Sequence, residues 1–313
     1  MIIALGATWA AAVLALAAPT LLHRITPSMN PRAALGCWLA CLAAVVALGA
    51  VAVIAAVWPG HAPGVGLAEA ALRCLTRVVH AVPVWVNDPL TATGLAVVAA
   101  LAIRVARSAR RHARAGARVR AYHRDVVSVV ARPGNEEMPV MWLDHPKPMA
   151  YSVDGRPGMV VATEGLARKL NDGQRRAVLA HEYAHLRGGH HRLIRGCEVL
   201  AAALPWIPLF ASAPKAVAAL AEFAADDSAA ATTSPATIRS ALCAVAETTG
   251  GQQSATLSLG GQVLQQRLQR LEPSTQPQRS SRWIAVSLYP VLAATAAPTG
   301  VLACAAAACL LVS

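Results

Sequence analysis

Charge is scarce in this chain. Only 14% of its 313 residues are Asp, Glu, Lys or Arg, against about 25% in a soluble globular domain. That excludes an ordinary soluble protein, and the mean hydropathy of +0.46 agrees. Aromatic residues are scarcer still, at 4%. The apolar majority is therefore Ala, Val and Leu, a composition that lets helices pack closely in lipid. No two of the seven cysteines form a CxxC pair (37, 41, 74, 197, 243, 304 and 309), which excludes a disulfide framework and a cysteine metal site. The first 22 residues lack the basic n-region of a signal peptide. No acid falls between Arg104 and Arg124, where eight arginines stand in 21 residues.

What is present is long apolar runs. Residues 1–22 and 33–58 carry no charged side chain, and each approaches or exceeds the roughly 20 residues that span a bilayer. Residues 89–106 form a shorter third candidate, with Arg104 and Arg107 able to snorkel. From Trp283 to Ser313 no charge appears, so a fourth span fits between about 286 and 311. Pro290 and Pro298 would bend it, which membrane helices tolerate.

The arginine run sets the orientation. It follows the third span directly, so it reads as a cytoplasmic anchor that can also bind anionic lipid, rather than as a nucleic-acid surface. Counting back puts loop 59–88 outside, loop 23–32 inside and the N-terminus outside; the C-terminus is then outside too. The chain divides into three membrane helices over 1–106, a cytoplasmic domain over 107–284 and a fourth membrane helix over 285–313. Within the domain, VVSVV, PVMWL, MAYSV and GMVVA over 126–162 read as strands broken by turns at Asp154-Gly155 and Arg156-Pro157-Gly158. A short helix fits 163–170. A stronger one starts after Asn171-Asp172-Gly173, with Asp172 as its cap. Helical spacing returns at Val263, Leu264, Leu268 and Leu271, and 273–281 reads as a linker.

The stronger helix carries the chemistry. His181-Glu182-Tyr183-Ala184-His185 places two imidazoles four residues apart, on one helix face, where both can hold one metal ion. Glu182 stands beside that ion as a general base for its water. A catalytic zinc takes three protein ligands and leaves one position open. Two residues compete for the third place. Glu222 stands four residues before Asp226, so one carboxylate can ligate while the other orients a ligand histidine. His191 completes HExxHxxGxxH, but that pattern requires a later Met-turn, and the last methionine is Met159. His190 and His191 therefore read as the polar end of the motif helix.

The apolar stretch 199–214 lies between the two motifs. One crossing there would put Glu222 on the wrong side of the membrane. Two crossings do not fit in the 36 residues between His185 and Glu222, since each takes about 20. This stretch is expected to be a core helix or a membrane-dipping segment. Segment 158–163, just before the helical region, is a candidate for binding substrate by strand addition.

Ala150-Tyr151-Ser152, Glu164-Gly165-Leu166, the run from Ala177 through His185 to Arg187, and Glu222-Phe-Ala-Ala-Asp226 together resemble the BlaR1/MecR1 family of membrane metallopeptidases (M56). The likeness to the HtpX/CAAX-protease family (M48) is more distant. The resemblance covers about residues 145–230. It implies a multi-pass α-helical membrane protein with a cytoplasmic α+β zincin-like domain. In both families the Glu of ExxxD completes the zinc site. That gives Zn2+ on His181, His185 and Glu222, with Glu182 catalytic and Asp226 behind a ligand. The first family implies cleavage of a cytoplasmic BlaI-type repressor, a winged-helix protein. The second implies quality control of membrane proteins. Ser212 to Lys215 has no Lys-Thr-Gly partner, so direct β-lactam sensing is not expected. A non-enzymatic reading, with zinc closed by a fourth ligand from His190 or His191, requires that Glu182 be dispensable. The oligomeric state stays open, a homodimer included.

Overall fold

The structure is a computed structural model and describes residues 2–57, 89–133, 140–155, 157–249 and 257–272. The expected fourth span, the 273–281 linker and loop 59–88 lie outside the described residues. The fold is mostly helical, with one small sheet and two apolar helices at the N-terminus.

Helices α1 (Ile2–Ile25) and α2 (Pro31–Val57) are joined by a 3-10 turn at Thr26–Ser28. Both are long and apolar enough to cross a membrane by length and composition, which points to membrane association. Their outer faces expose Leu5, Trp9, Val13, Leu16 and Ile54, and an apolar outer face is what lipid requires. The third expected span is the start of α3 (Pro89–Val130), which continues unbroken for 42 residues. Residues 126–130, expected as a strand, are the end of this helix. β-Branched residues cost at most about 0.7 kcal/mol each in a helix, too little to stop one already propagating. Arg104 does not act as an isolated snorkelling cation. Its Nε donates to the Ala203 carbonyl at 3.0 Å, and its guanidinium lies over Trp206 at 5.0 Å.

The sheet contains β1 (Ala131–Pro133), β2 (Val140–Leu143), β3 (Ala150–Val153) and β4 (Met159–Thr163), in the order β1-β2-β4-β3. β2 and β4 run parallel, and the other two pairings are antiparallel. Three of the four expected strands are therefore present. β4 is paired on both sides, so it has no free edge and cannot take a substrate strand, contrary to expectation. The edge strand beside it is β3.

After the short α4 (Glu164–Lys169) comes α5 (Asp172–Gly188), which carries the motif. Its cap is Asn171, not Asp172. The Asn171 side chain accepts from the Gln174 backbone while Gln174 Oε1 accepts from the Asn171 backbone, a reciprocal capping box. Asp172 instead pairs with Arg175 at 2.9 Å. α6 (His190–Ala203), α7 (Pro208–Thr232), α8 (Pro235–Thr249) and α9 (Leu257–Arg270) complete the described chain.

Three apolar clusters position the site. Leu22, Trp38 and Leu42 of the N-terminal hairpin pack with Cys197, Leu209, Phe210 and Val217 of α6 and α7. Stretch 199–214 thus packs on the hairpin, as both expected forms, a core helix and a membrane-dipping segment, require. Val140, Val160, Leu166, Leu179 and Tyr183 join the sheet to α4 and α5. Ala177, Ala229, Ile238 and Leu271 close the far end.

Gly165 holds the 145–149 loop against the β4–α4 junction. Its N–H donates to the His145 carbonyl at 2.9 Å, and a Cβ there would lie 2.1 Å from the Pro146 carbonyl oxygen. That oxygen belongs to the backbone and cannot swing away. Gly165→Ala is expected to destabilise the protein by about 3 kcal/mol, the upper end of the overpacking range, read as a lowered midpoint in denaturant unfolding.

Candidate metal centre

Two helices build the site. α5 buries Ala177, Leu179, Tyr183 and Ala184 together with His181 and His185, so the apolar contacts fix the rotation that aims both imidazoles. α7 is alanine-rich along the facing side, burying Ala221, Ala224, Ala225 and Ala229 around Asp226. Small side chains let its backbone approach α5 closely, and Glu222 reaches the histidines as a result.

Donor atoms of the three residues lie close together. His181 Nε2 and His185 Nε2 are 3.1 Å apart. Glu222 Oε2 lies 3.4 Å from His181 Nε2, and Oε1 lies 3.5 Å from His185 Nε2. A tetrahedral zinc with bonds of about 2.0–2.2 Å has ligand–ligand edges of about 3.3–3.6 Å. These residues therefore fit a zinc ion, and the three together could hold a metal.

Each imidazole has an outer partner that sets its tautomer. His181 Nδ1 donates to Asp226 Oδ1 at 2.9 Å. His185 Nδ1 lies 3.1 Å from Nδ1 of the buried His190. His190 and His191 are not the end of the motif helix. Gly189, in the left-handed region at φ 61°, closes α5, and His190 opens α6. This turn carries His191 to β3, where its Nε2 is 2.9 Å from Ser152 Oγ. His191 is outside the donor cluster. Ser152 also favours the ionised form of the Glu182 carboxyl, so β3, α5 and α6 meet beside Glu182.

Arg267 of α9 was not foreseen among the site residues. Its Nε and one terminal nitrogen each donate to Asp226 at 2.7 Å, a bidentate fork. The other terminal nitrogen is 3.0 Å from Glu222 Oε2. The signal was in the sequence: Arg267 stands with Leu264, Leu268 and Leu271 on one helical stripe, where a cation must meet an acid.

Burial pushes the His181 pKa down, but hydrogen bonds to Asp226 and Glu222 outweigh it and lift the imidazole to about 9. At His185 burial outweighs the attraction of Glu222 and drives the imidazole down to about 3. Burial alone would raise Glu222; the His181 hydrogen bond and the Arg267 charge reverse this and hold it at about 2. Burial raises Glu182 above the usual carboxylate range, partly offset by His181 and Ser152. A raised carboxylate is a better proton acceptor near neutral pH.

Removing Arg267 leaves two carboxylates facing each other across one helix turn. Breaking a fully buried pair costs about 3–5 kcal/mol. Because Glu222 is about one-third exposed, Arg267→Met is expected to destabilise the metal-free protein by roughly 2–3 kcal/mol. Unfolding followed by circular dichroism in chelator checks this.

The family model of peptidase family M48 matches residues 113–268, a range containing every residue of this site. No curated protein and no solved structure matches the chain. Of the two families its motifs resemble, the match supports M48. The His-His-Glu cluster inside the matched range could hold a metal ion, and with this likeness to peptidase family M48 the chain is a zinc-dependent metallopeptidase that hydrolyses peptide bonds.

Proposed function

We propose that the protein is a membrane-embedded zinc endopeptidase of the quality-control kind, acting on other proteins at the cytoplasmic face. The observation that carries this reading is the donor cluster of His181, His185 and Glu222, with 3.1–3.5 Å between neighbouring donor atoms, lying in the M48-matched range. Zinc bound there supplies a Lewis acid that polarises the scissile carbonyl and acidifies a water. Glu182 takes the proton as water attacks and passes it to the leaving amine. Ser152 favours the ionised Glu182 carboxylate. Asp226 and His190 keep the two imidazoles turned to the metal, and Arg267 restrains Glu222 and Asp226. Substrate backbone lies along the outer edge of β3, which places the peptide beside Glu182 by strand addition. The hairpin α1–α2, the head of α3 and segment 286–311 span the membrane. The arginine run of α3 faces the cytoplasm, with the N- and C-termini outside.

A second reading, cleavage of a BlaI-type winged-helix repressor, draws on one observation. Among the described residues, the chain between His185 and Glu222 packs against the hairpin, without the extra spans expected of an HtpX-like protein. The deciding assay offers the purified full chain both an unfolded model protein and a neighbouring repressor. Cleavage of the unfolded protein is expected, and cleavage of the repressor alone would favour the second reading. In the same assay Glu182→Gln is expected to keep zinc and lose about 10²–10⁴-fold in rate, whereas Glu222→Ala loses zinc. Unchanged cleavage by Glu182→Gln would overturn the protease mechanism.

Zinc uptake is coupled to protons. Below about pH 9 the metal-free His181 is protonated, while His185 and Glu222 are already deprotonated. The metal must displace that proton, so zinc affinity falls as pH falls below about 9. About one proton per zinc is expected to be released near neutral pH, declining above pH 9. Calorimetry in buffers of different ionisation enthalpy measures it.

A further inference from the structure

A cavity of about 710 Å³ lies between the N-terminal hairpin, α7 and α9, within the roughly 300–1,000 Å³ of ligand sites. The proteolytic reading makes no use of it. Its lining is mixed: Trp38, Leu220 and Val263 give apolar wall, Gln262, Gln266 and Gln269 give neutral polar wall, and Lys215 and Arg270 are its two cationic residues. No carboxylate lines it. Arg270 lies over the Phe223 ring at 5.1 Å and interacts over a longer distance with Asp227. Lys215 makes no ion pair among the described residues.

The place of the cavity matters as much as its lining. His23, Thr26 and Pro27 of the turn between α1 and α2 form part of its wall. This turn ends two helices of membrane-spanning length, so the cavity sits at headgroup depth. It opens on the side given the cytoplasmic orientation, the leaflet where anionic lipid concentrates. Among the described residues, Asp227 is an acid that acts on Arg270 without lining the cavity. After Glu272 the sequence contains no acid. Glu69 and Asp88, the acids of stretch 58–88, belong to the loop assigned to the opposite side.

We propose that this cavity seats an anionic phospholipid, its phosphate between Lys215 and Arg270 and an acyl chain against Trp38, Leu220 and Val263. The site shares a wall with the metal centre, because Phe223 lines it and Glu222 is the next residue. The proposal rests on the membrane placement of the hairpin.

The test uses the full chain in lipid nanodiscs containing photo-activatable phosphatidylglycerol or phosphatidylcholine, with cross-links mapped by peptide mass spectrometry. Phosphatidylglycerol is expected to label 211–223 and 262–270 as well as the outer faces of α1 and α2. Phosphatidylcholine is expected to label only the outer faces. The double variant Lys215→Gln, Arg270→Gln is expected to lose cavity labelling on the order of tenfold while outer-face labelling stays. Inorganic phosphate is expected not to compete. An unlabelled cavity beside labelled outer faces overturns the proposal and leaves the membrane placement standing. Cavity labelling indifferent to the two substitutions, or abolished by inorganic phosphate, also overturns it. Outer faces without label would defeat the membrane placement itself, and the lipid seat with it.

Discussion

Two carboxylates one helical turn apart, facing a pair of histidines, are the constraint around which this structure is arranged. Glu222 and Asp226 project from an alanine-rich face of α7 into a largely buried space, where uncompensated negative charge is expensive. Two things offset it in the metal-free protein: the His181 proton and the Arg267 guanidinium. A divalent cation held by His181, His185 and Glu222 would add to that neutralisation. Asp226 serves His181 and Arg267 at once, so loss of any one member of this group strands the others.

That constraint reaches the membrane through α7. The first half of the helix packs on α1 and α2 through Leu209, Phe210 and Val217. Its second half presents Glu222 and Asp226 to the histidines. The N-terminal hairpin is thus more than an anchor, because it forms the floor on which the third donor is positioned. The amphipathic cavity at the same junction places a candidate lipid one residue from that donor.

Much of the site was legible in the sequence because helical periodicity converts spacing into direction. His181 with His185, and Glu222 with Asp226, are i, i+4 pairs, and each pair shares a face as the period requires. The apolar composition of 199–214 likewise pointed to burial, and part of it packs on the hairpin. The failures have a common physical cause, which is that local pattern does not reveal tertiary partners. Residues 126–130 have strand composition yet extend a helix already formed. His191 matches a ligand spacing, but the left-handed Gly189 redirects it to Ser152. Arg267 lies 41 positions from Asp226, too far for spacing to connect them, although its place on an apolar stripe marked it as a buried cation. β4 fits the pattern of a substrate-binding strand, but pairing on both sides leaves it no free edge.

The most direct test of the central claim is X-ray absorption spectroscopy of the zinc-loaded full chain, beside Glu222→Gln and His191→Ala. The account predicts two imidazoles at about 2.0–2.1 Å with oxygen filling the remaining positions and no sulfur, a first shell altered by Glu222→Gln and unchanged by His191→Ala. Three imidazoles in the wild type, falling to two in His191→Ala, would contradict it.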